Sequence, residues 1–230
     1  MAALTYECRN VALINFKTTP ETLEKYLPAE TKLDFFNGEC LVSLVGFQFS
    51  NVELKGVKVP FHSNFEQIGL QFYVRRFVGT EWQKGIVFIS EIADKPLLSL
   101  LANKVFHENF STLPTTSEFT EDNLFQHIKY AWKFKDEWQY FQISSEKLSV
   151  LIAKDSLEEF VLERPFIYGK YKKDKTISYD ISHIRWRIFP THKHQLKTDF
   201  SLEFGSDFSH LKKVHSLVFA DGSEVTVSPL

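Results

Sequence analysis

Residues 126–135 read QHIKYAWKFK, in which Ile128, Tyr130, Trp132 and Phe134 alternate with Lys129, Ala131, Lys133 and Lys135. A period of two is the spacing of a strand with one buried face, here aromatic inside and mostly lysine outside. Working outward, residues 196–204 repeat the pattern, with Leu196, Thr198, Phe200, Leu202 and Phe204 opposite Lys197, Asp199, Ser201 and Glu203, and predict a second such strand. Cys40–Phe49 is apolar on both faces, as a central strand covered from both sides would be. Further strands are expected over about 67–78 and 85–92. In residues 176–188 the apolar set changes phase, from Ile177, Tyr179 and Ile181 to Ile184, Trp186 and Ile188, so the inward face switches near Ser182 and His183. A β-bulge, often found beside a functional site, or a bend at a barrel corner would each absorb that switch.

Helical signals are few. Thr19 as N-cap, Pro20 at the first position and Glu21 in the first turn open a short helix that Pro28 stops. Ser156 and Glu159 have capping-box spacing for a helix ending before Pro165, the longest helix is expected over about 94–108, and a short one follows Ser206. Many strands, few helices and no Pro/Gly-rich linker predict a mainly β (α+β) protein: one antiparallel β domain over residues 1–230, curled or closed, with helices at its rim.

Bulk properties exclude several function classes. Phenylalanine supplies 23 of 230 residues, and Gly 9 with Pro 8 falls far below what a disordered or collagen-like chain carries. Lys+Arg 27 against Asp+Glu 29 gives a net charge of -2, which argues against a nucleic-acid role, since that would need a basic face. Lys170, Lys172, Lys173 and Lys175 are interrupted by Tyr171 and Asp174 and read as a solvated hairpin turn. Glu7 and Arg9 stand where a signal peptide needs its apolar core, and no run of about 18 apolar residues occurs, so a cytoplasmic location without membrane insertion is the default. Cys8 and Cys40 sit among apolar strand residues and read as reduced core thiols.

The chain has no G-x-G-x-x-G, P-loop, G-x-S-x-G or H-E-x-x-H motif. His192 and His194 have strand spacing for two metal ligands, but with a lysine between them after Pro190 they read as a solvent-facing loop, so no metal and no cofactor is expected. The better candidates are polar residues embedded in apolar strands. Ile68, Leu70, Phe72 and Val74 form one face of a strand, while Gln67, Gly69, Gln71, Tyr73 and Arg75 form the other. If the sheet closes, that second face lines a cavity; if it stays open, the face is wet. Glu66 begins the strand on the apolar face and must be paired, have a raised pKa or lie at an exposed end.

Several runs resemble a known family. Asn15-Phe16-Lys17-Thr18-Thr19-Pro20-Glu21, Leu27-Pro28, Phe36-Asn37-Gly38 and Val42-Ser43-Leu44-Val45-Gly46-Phe47 resemble the opening of the YqjF-like uncharacterised bacterial proteins. Pro60-Phe61-His62, Asn64-Phe65-Glu66, Tyr73-Val74-Arg75, Glu108-Asn109-Phe110 before Pro114, Glu159-Phe160 with Glu163, and His183 with Arg185-Trp186 extend the match in order along the chain. That family is in turn similar to the acetoacetate decarboxylase-like superfamily, which implies a cone-shaped, mostly antiparallel β-barrel around an interior pocket. The decarboxylase uses a Schiff-base lysine whose pKa a second lysine lowers. The matching stretch here is Leu113-Pro114-Thr115-Thr116, without a lysine, and Lys17 stands where the decarboxylase has a substrate-facing arginine. Where the closer family has a second glutamate, an asparagine and an arginine, this chain has Gln67, Gly69 and Gln71. Acetoacetate decarboxylase activity is therefore not expected.

The resulting expectation is a small-molecule-binding barrel for a carbonyl or carboxylate compound. Its pocket candidates are Lys17, His62, Glu66, Gln67, Gln71, Tyr73, Asn109, Glu163, His183, Arg185 and Trp186. One competing reading keeps lyase chemistry through a displaced lysine, Lys104 or Lys17; another makes the chain a non-catalytic protein whose aromatic surplus forms a homo-oligomer interface.

Overall fold

A computed structural model describes residues 4–58, 64–96, 109–172 and 174–229. In chain order the strands are β1 (Leu4–Thr18), β2 (Thr31–Leu33), β3 (Cys40–Leu54), β4 (Val57–Lys58), β5 (Phe65–Val78), β6 (Glu81–Ala93), β7 (Phe110–Thr112) and β8 (Thr115–Glu121). They continue as β9 (Phe125–Phe134), β10 (Glu137–Glu146), β11 (Val150–Leu151), β12 (Phe166–Lys172), β13 (Lys175–His183), β14 (Arg187–Ile188), β15 (Thr191–Lys197) and β16 (Val214–Pro229). The helices are α1 (Pro20–Glu24), α2 (Leu157–Leu162) and α3 (Phe200–Phe204), with a 3-10 turn at Ser206–Phe208. No helix among the described residues is long and apolar enough to cross a membrane.

Strands β1, β3, β5, β6, β12, β13 and β16 pair in that order, and β16 returns to β1, so the sheet closes on itself. Pairing around this cone-shaped barrel is antiparallel except between β6 and β12, which share a parallel ladder of only Phe166 with Gly85 and Ile167 with Ile86. A four-stranded antiparallel sheet, β15-β10-β9-β8, covers the outside.

Period-two alternation then produces two cores. Outward residues of the ring, among them Ile14, Val42, Leu44, Ile68, Leu70, Phe72 and Val87, meet Ile128, Tyr130, Trp132 and Phe141 of the second sheet. Gly46 lies at this contact because a Cβ there would overlap the Tyr130 ring. Inward residues, among them Cys8, Val11, Leu13, Leu41, Val45, Tyr73, Ile86 and Val218, form a separate cluster enclosed by the ring. Cys40–Gly46 is thus buried on both sides, with Phe47–Phe49 half-buried, and 126–135 carries its aromatic face inward. The two thiols are free and buried, Cys8 in the inner cluster and Cys40 in the outer one.

Three sequence expectations need correction. The alternation at 196–204 belongs to the end of β15 followed by helix α3, not to one strand. Asp199 caps that helix by accepting from the Leu202 N–H at 3.0 Å, and Phe200 and Phe204, one helical turn apart, both enter the outer core. His192 and His194 lie on β15 rather than in a loop, although they are exposed and no group of three metal-ligating residues occurs among the described residues. The phase switch at Ser182 and His183 is a break in the strand: β13 stops at His183, Ile184–Trp186 leave the ladder, and β14 resumes at Arg187.

The other two strands beside that break invert at the same level. β16 turns from Val218 and Ala220 to Val225 and Val227 across Gly222 at φ 80°, and β1 turns at Asn10 at φ 53°. A Cβ at Gly222 would run into the Cys8 carbonyl, so glycine is required there. The helices at Pro20 and Ser156 form as expected; Ser156 accepts from the Glu159 N–H at 3.1 Å. The helix expected over 94–108 lies almost wholly outside the described residues.

Candidate functional site

Strand β5 carries the site on its inward face. Gln67, Gln71 and Tyr73 are buried inside the ring, while Ile68, Leu70, Phe72 and Val74 face the second sheet. Polar side chains on neighbouring strands complete a chain of hydrogen bonds. The Ser43 hydroxyl of β3 donates to Asn15 Oδ1 of β1 at 2.6 Å, and Asn15 Nδ2 donates to Ser216 Oγ of β16 at 3.0 Å. With its only hydrogen committed to Asn15, Ser43 must accept from the Tyr73 hydroxyl, 2.5 Å away. Gln71 donates toward the same phenol oxygen, and its Oε1 is buried without a hydrogen-bond partner among the described residues. Burial pushes the Tyr73 phenol up to about 12, against the opposing pull of Ser43, Gln71 and Arg164, so it stays protonated at neutral pH.

Helix α2 closes over this chain. Its Phe160 ring meets Tyr73 at 5.0 Å and Phe36 at 5.4 Å between centroids. Just beyond it, Arg164 is 3% exposed, lies 5.2 Å from the Tyr73 ring and 3.9 Å from the Phe160 ring, and donates to Asp34 at 2.6 Å. Its Nε donates to the Phe160 carbonyl, and its Nη2 is buried without a partner among the described residues. Burial lowers the Arg164 pKa, while Asp34 acts in the opposite direction and keeps the guanidinium charged.

A second polar group lies where β6 and β12 part after their two-residue ladder. Gln67 Nε2 donates to Glu91 Oε1 at 2.6 Å, and Asn109 Nδ2 donates to the Ile89 carbonyl at 2.7 Å. Gly69, opposite Glu91 in the ladder, lies against Phe88, whose ring a Cβ there would meet at 3.2 Å. A cavity of about 190 Å³ opens at this seam, lined by Phe88, Glu91, Asn109, Tyr168, Lys170 and Tyr179 among others.

The remaining sequence candidates are dispersed. Lys17 shares the inward parity of Asn15 but sits half exposed at the rim, 2.8 Å from Glu39. Such a paired, hydrated ammonium is unlike the desolvated amine that Schiff-base chemistry uses. Glu66 turns outward, where Ser117 donates to it at 2.8 Å; of the options open from sequence, pairing is the one observed. Glu163 caps α2 and has one buried carboxylate oxygen without a hydrogen-bond partner among the described residues. His183 stacks on Trp186 at 4.3 Å, Trp186 donates to Ser223 at 2.9 Å, and Arg185 pairs with Glu159 at 2.5 Å. Arg185 thus braces α2 through Glu159, Trp186 belongs to the inner cluster with His183 stacked on it, and none of the three joins the Tyr73 chain. His62 and Lys104 lie outside the described residues.

Asn15, Ser43, Asp34, Arg164 and Glu91 were not among the sequence candidates. Asn15 and Ser43 could have been found, since each is a polar residue at an inward position of an otherwise apolar run. Leu113–Thr116 leads into β8 of the second sheet, and no lysine is among the described buried residues.

A closed, mostly antiparallel ring with a polar chain inside it defines an acetoacetate decarboxylase-like fold, and solved structures agree. Acetoacetate decarboxylase from Legionella pneumophila superposes with a TM-score of 0.68 at 12% identity, covering 99% of this chain and 87% of its own. The enduracididine biosynthesis enzyme MppR, complexed with the condensation product of pyruvate and imidazole 4-carboxaldehyde, superposes with a TM-score of 0.67 at 10% identity, covering 100% of this chain and 90% of its own. At that identity the likeness is one of fold. Residues 5–224 match the DUF2071 family model, described as an uncharacterized conserved protein (COG2071), and the chain belongs to that family. It is 29% identical over 170 residues to the uncharacterized protein YqjF of Bacillus subtilis, an alignment covering 72% of this chain and 66% of that relative's length.

Proposed function

We propose that this protein is a cytoplasmic, single-domain barrel that binds a small carbonyl or carboxylate compound inside its ring, without a Schiff-base lysine, metal or organic cofactor. The observation that carries this is the buried Gln71–Tyr73–Ser43–Asn15 chain, which places open hydrogen-bonding positions in an apolar enclosure. An interior serving only stability gains nothing from such groups, because each unsatisfied polar atom costs about 1–3 kcal/mol. Sites for small molecules have this composition, mostly apolar with a few convergent polar groups. The likeness to MppR, a structure of which holds pyruvate, supports a ligand of that size class. A net charge of -2 favours neither nucleic acid nor an anionic membrane as partner.

Ligand-observed NMR with a panel of small carbonyl and carboxylate compounds, pyruvate included, tests the proposal. Saturable binding by at least one member is expected, and the Gln71→Leu variant should weaken it while keeping the native melting temperature. No binding across the panel would reject small-molecule recognition of this class. Borohydride treatment in the presence of pyruvate should leave every lysine unmodified.

A further inference from the structure

Hydrogen-bond direction along the interior chain specifies what a ligand must bring. With the Asn15 amide donating to Ser216, each hydroxyl hydrogen is committed in one sense: Tyr73 to Ser43, Ser43 to Asn15. Gln71 spends its amide nitrogen on Tyr73. Among the described residues, what is left open beside Tyr73 is one acceptor, Gln71 Oε1, and one donor, Arg164 Nη2, both on side chains of residues only 3% exposed. Charge narrows the choice further. Arg164 is the one buried cation among the described residues, and Asp34 already neutralises it. At the rim Lys17 is likewise paired with Glu39. Among the described residues a free carboxylate drawn inside would find no uncompensated buried cation, and burying an unbalanced charge costs several kcal/mol.

Resting on the small-molecule reading above, we propose that the interior site takes a neutral carbonyl compound that carries its own N–H or O–H donor, an amide or hydroxy-carbonyl, in preference to a free carboxylate. Arg164 Nη2 donates to the carbonyl oxygen, and Gln71 Oε1 accepts the ligand's hydrogen. Tyr73 positions Gln71 and offers no hydrogen of its own, since that is held by Ser43. The exchange of the family's charged and amide positions for Gln67, Gly69 and Gln71 agrees with a less charged ligand.

Titration of the full chain with lactamide, lactate and pyruvate, followed by NMR, tests this. Lactamide should bind more tightly than either carboxylate by about tenfold or more, because it buries no unbalanced charge. In Gln71→Leu, with its melting temperature checked against the parent, lactamide binding should weaken by about tenfold, while its preference over lactate, which rests on charge, should remain. Lactate or pyruvate binding as tightly as lactamide overturns the neutral-ligand assignment and leaves small-molecule binding standing. Binding by none of the three, together with none in the wider panel, removes both. Lactamide binding unchanged in Gln71→Leu also overturns the assignment, because the acceptor would then lie elsewhere.

Discussion

The two faces of strand β5 are built from consecutive residues of one sequence and do different work. Ile68, Leu70, Phe72 and Val74 face the second sheet and fill a continuous apolar core. Gln67, Gly69, Gln71 and Tyr73 face the ring interior, and there polar atoms are buried at the expense of stability. The outward face behaves as a scaffold, tuned for density, while the inward face keeps donors and acceptors that packing alone does not need. The comparison teaches that in a closed sheet the question is which of two cores a buried residue belongs to, and that a polar residue in the enclosed one is the functional signal.

The largest effect should come from the outward face. Phe72→Ala removes a fully buried ring between two sheets and should cost about 3–5 kcal/mol in urea unfolding. A cost under about 1 kcal/mol there would mean that the outer core is loosely packed and the contrast between faces is false. On the inward face, Tyr73→Phe deletes one oxygen, leaving the Ser43 acceptor and the Gln71 amide without their partner; a loss of about 1–3 kcal/mol is expected. Gln71→Leu should do much less. It removes an unpartnered carbonyl together with one hydrogen bond to Tyr73, and the two offset, so stability should stay within about 1 kcal/mol of the parent. If instead it destabilised as strongly as Phe72→Ala, Gln71 would be a packing residue and the two faces would be equivalent.

The smallest effect is a pH dependence on the outer side. Glu203 of α3 has a raised pKa because it is partly desolvated, with Trp132 opposing that shift. An acid whose folded pKa exceeds its unfolded value binds its proton more tightly when folded. Its favourable contribution is therefore present below the unfolded pKa and is lost as pH rises through the folded one. Glu203→Gln should accordingly raise the melting temperature at pH 7 and bring a smaller gain below about pH 4, near the unfolded carboxyl pKa. An equal gain at both pH values would show that desolvation of the charge is not the cause.

Much of the scaffold was legible because period two reads directly as strand. The aromatic alternation of 126–135 and the doubly apolar Cys40–Phe49 both appear in the structure where their patterns place them. The failure at 196–204 has a local cause: Phe200 and Phe204 satisfy a strand period and a helical turn equally well, and the Asp199 cap decided between them. At 176–188 the phase shift was visible, but its meaning depended on Gly222 and Asn10 in other strands, which only register brings alongside. The site was half visible. Gln67, Gln71 and Tyr73 could be placed on one strand face, yet whether that face was wet or enclosed depended on β16 returning to β1. Arg164 gave no periodic signal at all, since it follows a helix and acts through Asp34, 130 positions away in the chain.

A crystal structure of the protein grown with saturating lactamide addresses the enclosed face most directly. The expected result is ligand density inside the ring, with its carbonyl at Arg164 Nη2 and its donor at Gln71 Oε1. Density confined to the outside of the ring, or side chains closed over Gln71 and Arg164 with nothing but water between them, would contradict the interior as a binding site.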